Sequence, residues 1–198
     1  VIVDMCPQAN ISEVILGGNG KGAANLQKLL DAKNRKTVGG YFDERISSPH
    51  KTTGNETSYL LTGTDYNENM DENIFLIAGD PSLEIQAEAM NQIAGQTLPA
   101  DSWSNVHQWL KNLVDSIKSK FPGAVFFIDC NPSFAAYTEL AILAADRLIV
   151  PCSADGSSAR AISNIGQLVY GIDVPADYVN VSFSKRAKTN GLALPAIH

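Results

Sequence analysis

Two aspartates stand where short apolar runs end: Asp4 follows Val1–Val3, and Asp129 follows Ala124–Ile128. A third, Asp80, lies in Gly79-Asp80-Pro81 after Ile74–Ala78, while Leu148–Val150 runs into Pro151-Cys152. Carboxylates at strand ends, beside helix N-termini, suit a hydrated Mg²⁺ and a phosphate group: the ion keeps most of its waters, and helix N-termini attract anions. An aspartate after a strand also caps the helix or turn that follows it, and residue type alone leaves both roles open. Cys6, Cys130 and Cys152 also fall near strand ends. No Cys-x-x-Cys pair occurs, and His50, His107 and His198 are far from the cysteines in sequence, so the thiols read as small hydrophobes rather than as a metal or iron–sulfur site. No Gly-x-Ser-x-Gly elbow is present to start a Ser/His/Asp triad.

The elements that must position these groups follow from apolar spacing. Val1–Val3, Ile74–Ala78, Ala124–Ile128 and Leu148–Val150 do not alternate polar with apolar, so each is expected as a strand buried on both faces, as in a parallel sheet. Trp103, Val106, Trp109/Leu110, Leu113/Val114, Ile117 and Phe121 recur every three to four residues and predict one long amphipathic helix. The shared face places both tryptophans in the core rather than on a base-stacking surface. Ile162, Ile165 and Leu168/Val169 predict a helix after Gly156; Val179, Phe183 and Ala187 predict another, with Lys185, Arg186 and Lys188 on its flank. Glu84 to Ala94, opened by Pro81, predicts a fourth. Strands alternating with helices imply an α/β fold with a doubly wound, mainly parallel sheet, whose ligands sit beyond the carboxyl ends of the strands. The polar, turn-rich stretch 34–72 is expected as a surface insertion or mobile loop, and no domain boundary is evident within 1–198.

Around the two aspartates run Val1-Ile-Val-Asp-Met-Cys-Pro-Gln-Ala-Asn-Ile-Ser12 and Phe127-Ile-Asp-Cys-Asn-Pro-Ser-Phe134, the second continuing through Thr138–Pro151. Both segments resemble the ParA family of chromosome- and plasmid-partitioning ATPases, in the deviant Walker-A class that includes MinD, with a P-loop NTPase-like three-layer fold. The resemblance extends over most of the chain. It implies that Asp129 is the Walker-B aspartate, holding Mg²⁺ through its waters, and that Asp4 opens the second acidic motif near the same metal. It implies further that Gln8 and the Asn10–Ser12 turn lie beside the phosphates or a dimer partner, and that Pro132 and Ser133 sit on the segment responding to the γ-phosphate. ATP and Mg²⁺ would be the ligands, a homodimer the ATP-bound state, a centromere-binding ParB-like protein the partner. Nonspecific DNA would meet Lys185, Arg186 and Lys188, charges that a solvated helix face explains equally well.

Two departures qualify the resemblance. The family's second aspartate, which orients the attacking water, falls on Cys6. A thiol titrates near about 8.5, so at neutral pH it is mostly protonated and a poorer acceptor than a carboxylate, and slow hydrolysis is the expectation. The phosphate-cradling loop, which in the family precedes the Asp4 strand, is not in the sequence. Leu16-Gly-Gly-Asn-Gly-Lys-Gly22 imitates its core, but Leu16 and Gly22 replace the signature lysine and the metal-binding hydroxyl, and it follows a helix-like stretch rather than a strand. A glycine-rich turn between two helices is expected there, and the chain reads as incomplete at both ends. A MinD-like ATPase positioning cargo at a membrane, and a hydrolysis-dead scaffold of the same fold, are the alternatives.

Composition sets outer bounds. With 44% hydrophobic and 18% charged residues, the 198-residue chain has the apolar content of a folded domain rather than a disordered one. No run reaches the roughly 18 apolar residues of a membrane span. The net charge of −6 opposes wholesale charge-driven nucleic-acid binding, although a local basic patch remains compatible with it. Three cysteines are too few for a disulfide framework, so a reduced, cytoplasmic setting is expected, nucleoid association included.

Overall fold

The computed structural model describes residues 1–153 and 156–198, and the backbone alone for residues 157–159. The chain divides into two compact units, Val1–Ala141 and Ile142–His198, where the sequence gives no boundary signal.

The first unit is built on β1 (Ile2–Met5), β2 (Leu61–Thr62), β3 (Phe75–Ile77) and β4 (Phe127–Cys130) in the order β2-β3-β1-β4. β1 pairs in parallel with both β3 and β4, and the short β2 runs antiparallel to β3 at one edge. Helices fill the crossovers, so the sheet is mainly parallel and flanked by helices, as expected. α1 (Asn10–Ile15), α2 (Lys21–Asp31) and α3 (Val38–Ser47) lie between β1 and β2; α4 (Leu83–Ala94), α5 (Ser102–His107) and α6 (Trp109–Lys120) lie between β3 and β4. Val3, Met5, Leu76 and Ile77 of the central strands are fully buried, the result predicted for non-alternating runs.

β4 departs from that expectation. It is the edge strand of this sheet, its residues are exposed or half-buried, and Phe127 is 63% exposed. An apolar run is buried on both faces only when its neighbours cover it, and among the described residues β4 has a strand on one side alone.

Between α1 and α2, Gly17, Gly18, Asn19 and Gly20 all take positive φ. The glycine-rich stretch is therefore a tight turn, followed by Gly22, where a Cβ would lie 1.9 Å from the Glu13 carbonyl oxygen. Only glycine allows the two helices to approach this closely.

Stretch 34–72 is no mobile loop throughout. Thr37 caps α3 by accepting from the Gly40 amide at 3.1 Å, and Tyr41 and Phe42 of that helix are fully buried. The stretch looks polar because its buried apolar residues, Val38, Tyr41, Phe42, Tyr59 and Leu61, are spread thinly among polar ones. Arg45 is 1% exposed. It donates to the Tyr41 hydroxyl at 3.0 Å and the Pro49 carbonyl at 3.3 Å, and lies 5.2 Å from the Trp109 ring centre. The Pro49 carbonyl also accepts from Asn105 at 2.7 Å and from the Trp109 indole at 3.2 Å, tying the end of α3 to α5 and α6. Burial pushes the Tyr41 hydroxyl up to about 12, against the pull of Arg45.

The single helix expected over 103–121 is two. Gln108 separates α5 from α6, its amide bonded back to the Asn105 carbonyl at 3.3 Å while its own carbonyl accepts from Asn112. Apolar spacing runs through the break because Trp103, Val106, Trp109 and Leu110 are all buried on both sides of it.

The second unit follows α7 (Ala136–Ala144), which straddles the division, and contains β5 (Arg147–Leu148), α8 (Gly156–Tyr170), α9 (Phe183–Thr189) and β6 (Ala196–Ile197). β5 and β6 form a parallel two-stranded sheet. The helix expected around Val179–Ala187 is split into a 3₁₀ segment, Ala176–Val181, and α9, whose Ser182 caps it through the Lys185 amide. Val169, Phe183 and Ala187 supply its buried core, and the Tyr170 hydroxyl donates to the Pro195 carbonyl at 2.8 Å.

Candidate functional site

The carboxyl ends of β1 and β4 carry Asp4 and Asp129 as register partners on adjacent parallel strands. Partners in register project to the same face with backbones about 4.8 Å apart, so the two carboxylates share one end of the sheet. Their surroundings differ. Asp129 is exposed, whereas Asp4 has no exposed surface.

Asp4 is closed off by its own chain. One oxygen accepts the Cys6 amide at 3.0 Å; the other accepts both the Ser12 amide at 3.0 Å and the Ser12 hydroxyl at 2.6 Å. The Ser12 oxygen in turn accepts the Gly79 amide at 2.8 Å. One hydroxyl thus joins the end of β1, the first turn of α1 and Gly79, two residues past β3. Burial raises the Asp4 carboxyl above its ordinary value; the Ser12 and Cys6 bonds oppose that shift, and the Asp129 charge adds to it. Gly79 is fitted to this clamp, since a Cβ there would lie 2.8 Å from the Asp4 carboxyl carbon.

The clamp fixes the loop from Cys6 to Asn10, with Ala9 held at φ 52°. Cys6 is half-buried, and its thiol donates to the exposed Gln8 side chain at 2.9 Å. Cys6, expected at the water-orienting position, and Gln8, expected beside the phosphates or a dimer partner, are thus bonded to each other. On the β4 side, Pro132 and Ser133 are exposed, and the Ser133 amide donates to the Asn131 side chain at 3.2 Å.

The structure thus brings Asp4, Cys6, Gln8, Asp129, Pro132 and Ser133 to two neighbouring strand ends. Lys185, Arg186 and Lys188 lie on α9 in the second unit; Lys185 and Lys188 are exposed and Arg186 is half-buried. Ser12 and Asn131 are the residues whose roles sequence reasoning missed. Ser12 gives only a weak signal, a hydroxyl residue eight positions after a strand-end aspartate, whereas an Asn two residues before Ser133 is a recognisable side-chain turn.

Asp80, three residues past β3, serves the scaffold. It is buried, accepts the Thr37 hydroxyl at 2.5 Å and the Ser82 amide at 2.9 Å, and lies 3.2 Å from Arg35 Nε.

Among the described residues, no three His, Cys, Asp or Glu side chains gather into a metal-binding group. A magnesium ion held through its own water shell fits the site nonetheless, because that mode needs one accessible carboxylate, which Asp129 provides. Asp4, with three donors on its two oxygens, fits a supporting role behind it. No helix of the described residues is long and apolar enough to cross a membrane.

No protein-family profile matches the chain, and no curated protein does. Solved structures do. A plasmid partition protein of Borrelia burgdorferi B31 bound to AMPPNP is 16% identical over 99% of this chain and 60% of its own, with a TM-score of 0.53. A plasmid partition protein from the same organism, from an iodide soak, is 17% identical over 99% of this chain and 63% of its own, with a TM-score of 0.56. A Corynebacterium diphtheriae protein is 18% identical over 96% of this chain and 61% of its own, with a TM-score of 0.64. At these identities the likeness is one of fold: the chain has the α/β fold of the plasmid partition proteins and spans about 60% of their length.

Proposed function

We propose that this chain is part of an ATP-dependent partitioning switch of the ParA type. The observation that carries the reading is the register-paired Asp4 and Asp129 at one end of a parallel sheet, the first sealed and the second open to solvent. A relative of the same fold binds AMPPNP. In this reading Asp129 holds the water shell of Mg²⁺, Asp4 and Ser12 keep the Cys6–Asn10 loop in place, and Pro132–Ser133 lie beside the terminal phosphate. Mg-ATP, when bound, supplies the phosphoanhydride and the divalent charge that offsets it.

Dimerisation in the ATP state, a centromere-binding partner and nonspecific DNA contacts through Lys185 and Lys188 complete the proposal. The net charge of −6 makes DNA binding depend on a local patch, hence on salt. Cys6 favours a version in which hydrolysis is slow or absent: its thiol already donates to Gln8 and offers an attacking water a weaker acceptor than a carboxylate would.

Calorimetric titration of the full-length protein with AMPPNP, with and without Mg²⁺, tests the reading. Binding should require Mg²⁺, and Asp129→Asn should weaken it by about 10- to 100-fold, the range for groups that orient a metal through its outer shell. Nucleotide binding that ignores both the ion and Asp129 would overturn it.

A further inference from the structure

The loop that joins β4 to α7 is braced from behind. Tyr137, in the first turn of α7, is fully buried, and its hydroxyl lies 3.2 Å from Ser133 Oγ and 3.4 Å from a carboxylate oxygen of Glu84 on α4. Half a turn on, Glu139 meets Nε2 of His107 at 2.7 Å. His107 is buried, stacked on Trp103 with ring centres 3.9 Å apart, and its Nδ1 is 2.8 Å from the Trp103 carbonyl. A carbonyl only accepts, so Nδ1 carries a proton and the ring is fixed in orientation. Glu139 of α7 is thus tied to His107 of α5, two residues on from the Tyr137 hydroxyl's contact with Ser133.

Proton counting then sets the direction of each bond. The Tyr137 hydroxyl has one hydrogen and two neighbours. An ionised Glu84 can only accept, so Tyr137 donates to Glu84 and its oxygen accepts from Ser133. The Ser133 proton therefore points inward, toward Tyr137. The Asn131 side chain holds the Ser133 backbone, which leaves rotation of the hydroxyl as the remaining freedom.

We propose that Tyr137, oriented by Glu84, is a positioning residue that parks the Ser133 proton away from the phosphate side and so sets the preference for nucleoside triphosphate over diphosphate. The proposal rests on the reading of Pro132–Ser133 as the segment beside the terminal phosphate. A γ-phosphate needs a donor, so binding it turns the Ser133 hydroxyl outward and gives up its bond to Tyr137. Diphosphate makes no such demand.

The test is calorimetric titration of full-length wild type, Tyr137→Phe and Glu84→Gln with Mg-AMPPNP and with Mg-ADP. Phenylalanine keeps the buried ring and removes the competing acceptor, so AMPPNP should bind about two- to tenfold tighter, the worth of one neutral hydrogen bond, with ADP unchanged. In a Ser133→Ala background the gain should vanish. Glu84 is exposed, so Glu84→Gln tests the same point without touching the core: glutamine can donate to Tyr137, which then donates to Ser133 and turns its proton outward. It should shift the AMPPNP/ADP ratio the same way. Equal changes for both nucleotides, or none, in the two variants would overturn this assignment while leaving the ATP-switch reading intact. A wild-type protein that binds neither nucleotide would overturn both.

Discussion

Replacing Ser12 by alanine removes one oxygen atom from a fully buried position and breaks two bonds with different consequences. The first is the 2.6 Å bond to Asp4, charge-assisted whenever Asp4 is ionised and worth about 1.5–3 kcal/mol. The second is the acceptor for the Gly79 amide; Gly79 is buried, and an orphaned buried N–H costs about 1–3 kcal/mol. The Ser12 backbone amide still donates to Asp4, which limits the damage. A loss of about 3–5 kcal/mol follows, a large share of the roughly 5–15 kcal/mol that stabilises a domain of this size. Urea unfolding of wild type and Ser12→Ala at pH 7 reads the difference, with the slope on denaturant checking that the same structure unfolds. Amide exchange supplies a local readout: Gly79 and Cys6 should lose protection before the amides of β3 do. A loss below about 1 kcal/mol with Gly79 still protected would refute the account of this hydroxyl as the joint between β1, α1 and β3.

Three further outcomes are expected. Because burial raises Asp4, its folded-state value lies above the roughly 3.9 of an unfolded chain, so its contribution to stability is complete below that value and is lost as pH climbs through the folded value. In metal-free buffer, wild type should therefore lose its margin over Asp4→Asn as pH rises from below about 3.9 towards neutrality, and parallel pH profiles would count against a raised Asp4. Gly22→Ala should cost at least about 1–3 kcal/mol, since the new methyl meets a backbone carbonyl that cannot step aside; Gly18→Ala, with open space around it, should cost only the strain of its positive φ, about 1–2 kcal/mol, and the order is checked by thermal unfolding. Restoring a carboxylate with Cys6→Asp should speed single-turnover ATP hydrolysis up to about 100-fold, the lower end of what a positioned proton acceptor contributes. No acceleration would mean that Cys6 does not occupy the water-orienting position.

The strand ends were readable because the β1 run stops at aspartate and the β3 run at Gly79-Asp80, a pattern that needs no tertiary information. The exposure of β4 was not, because Phe127-Ile128 looks the same whether or not a strand lies beyond it. The Gln108 break hid inside a continuous apolar spacing, and α3 hid behind Gly39-Gly40. Those glycines serve close approach: a Cβ on Gly39 would lie 2.4 Å from the Asp80 carboxyl carbon, a contact between residues far apart in the chain. The candidate site divides the same way. Asp4 and Asp129 announce themselves, but which of them meets solvent depends on Ser12, and a bond between residues eight apart has no helical or strand period to reveal it.

The Pro49 carbonyl has a bearing on how the protein can be cut and spliced. Residues 48–55, rich in serine, threonine and glycine, look like the natural place to insert a reporter, open a new terminus or site a protease target. Yet three donors from α3, α5 and α6 converge on that one oxygen, and lengthening the chain there would strand all of them, the buried Arg45 guanidinium included. The exposed turn at 67–72 has no such duty: its hydrogen bonds are local, and its residues are exposed or half-buried. Insertions, permuted ends and tags belong there, and the proline loop should be left as it is.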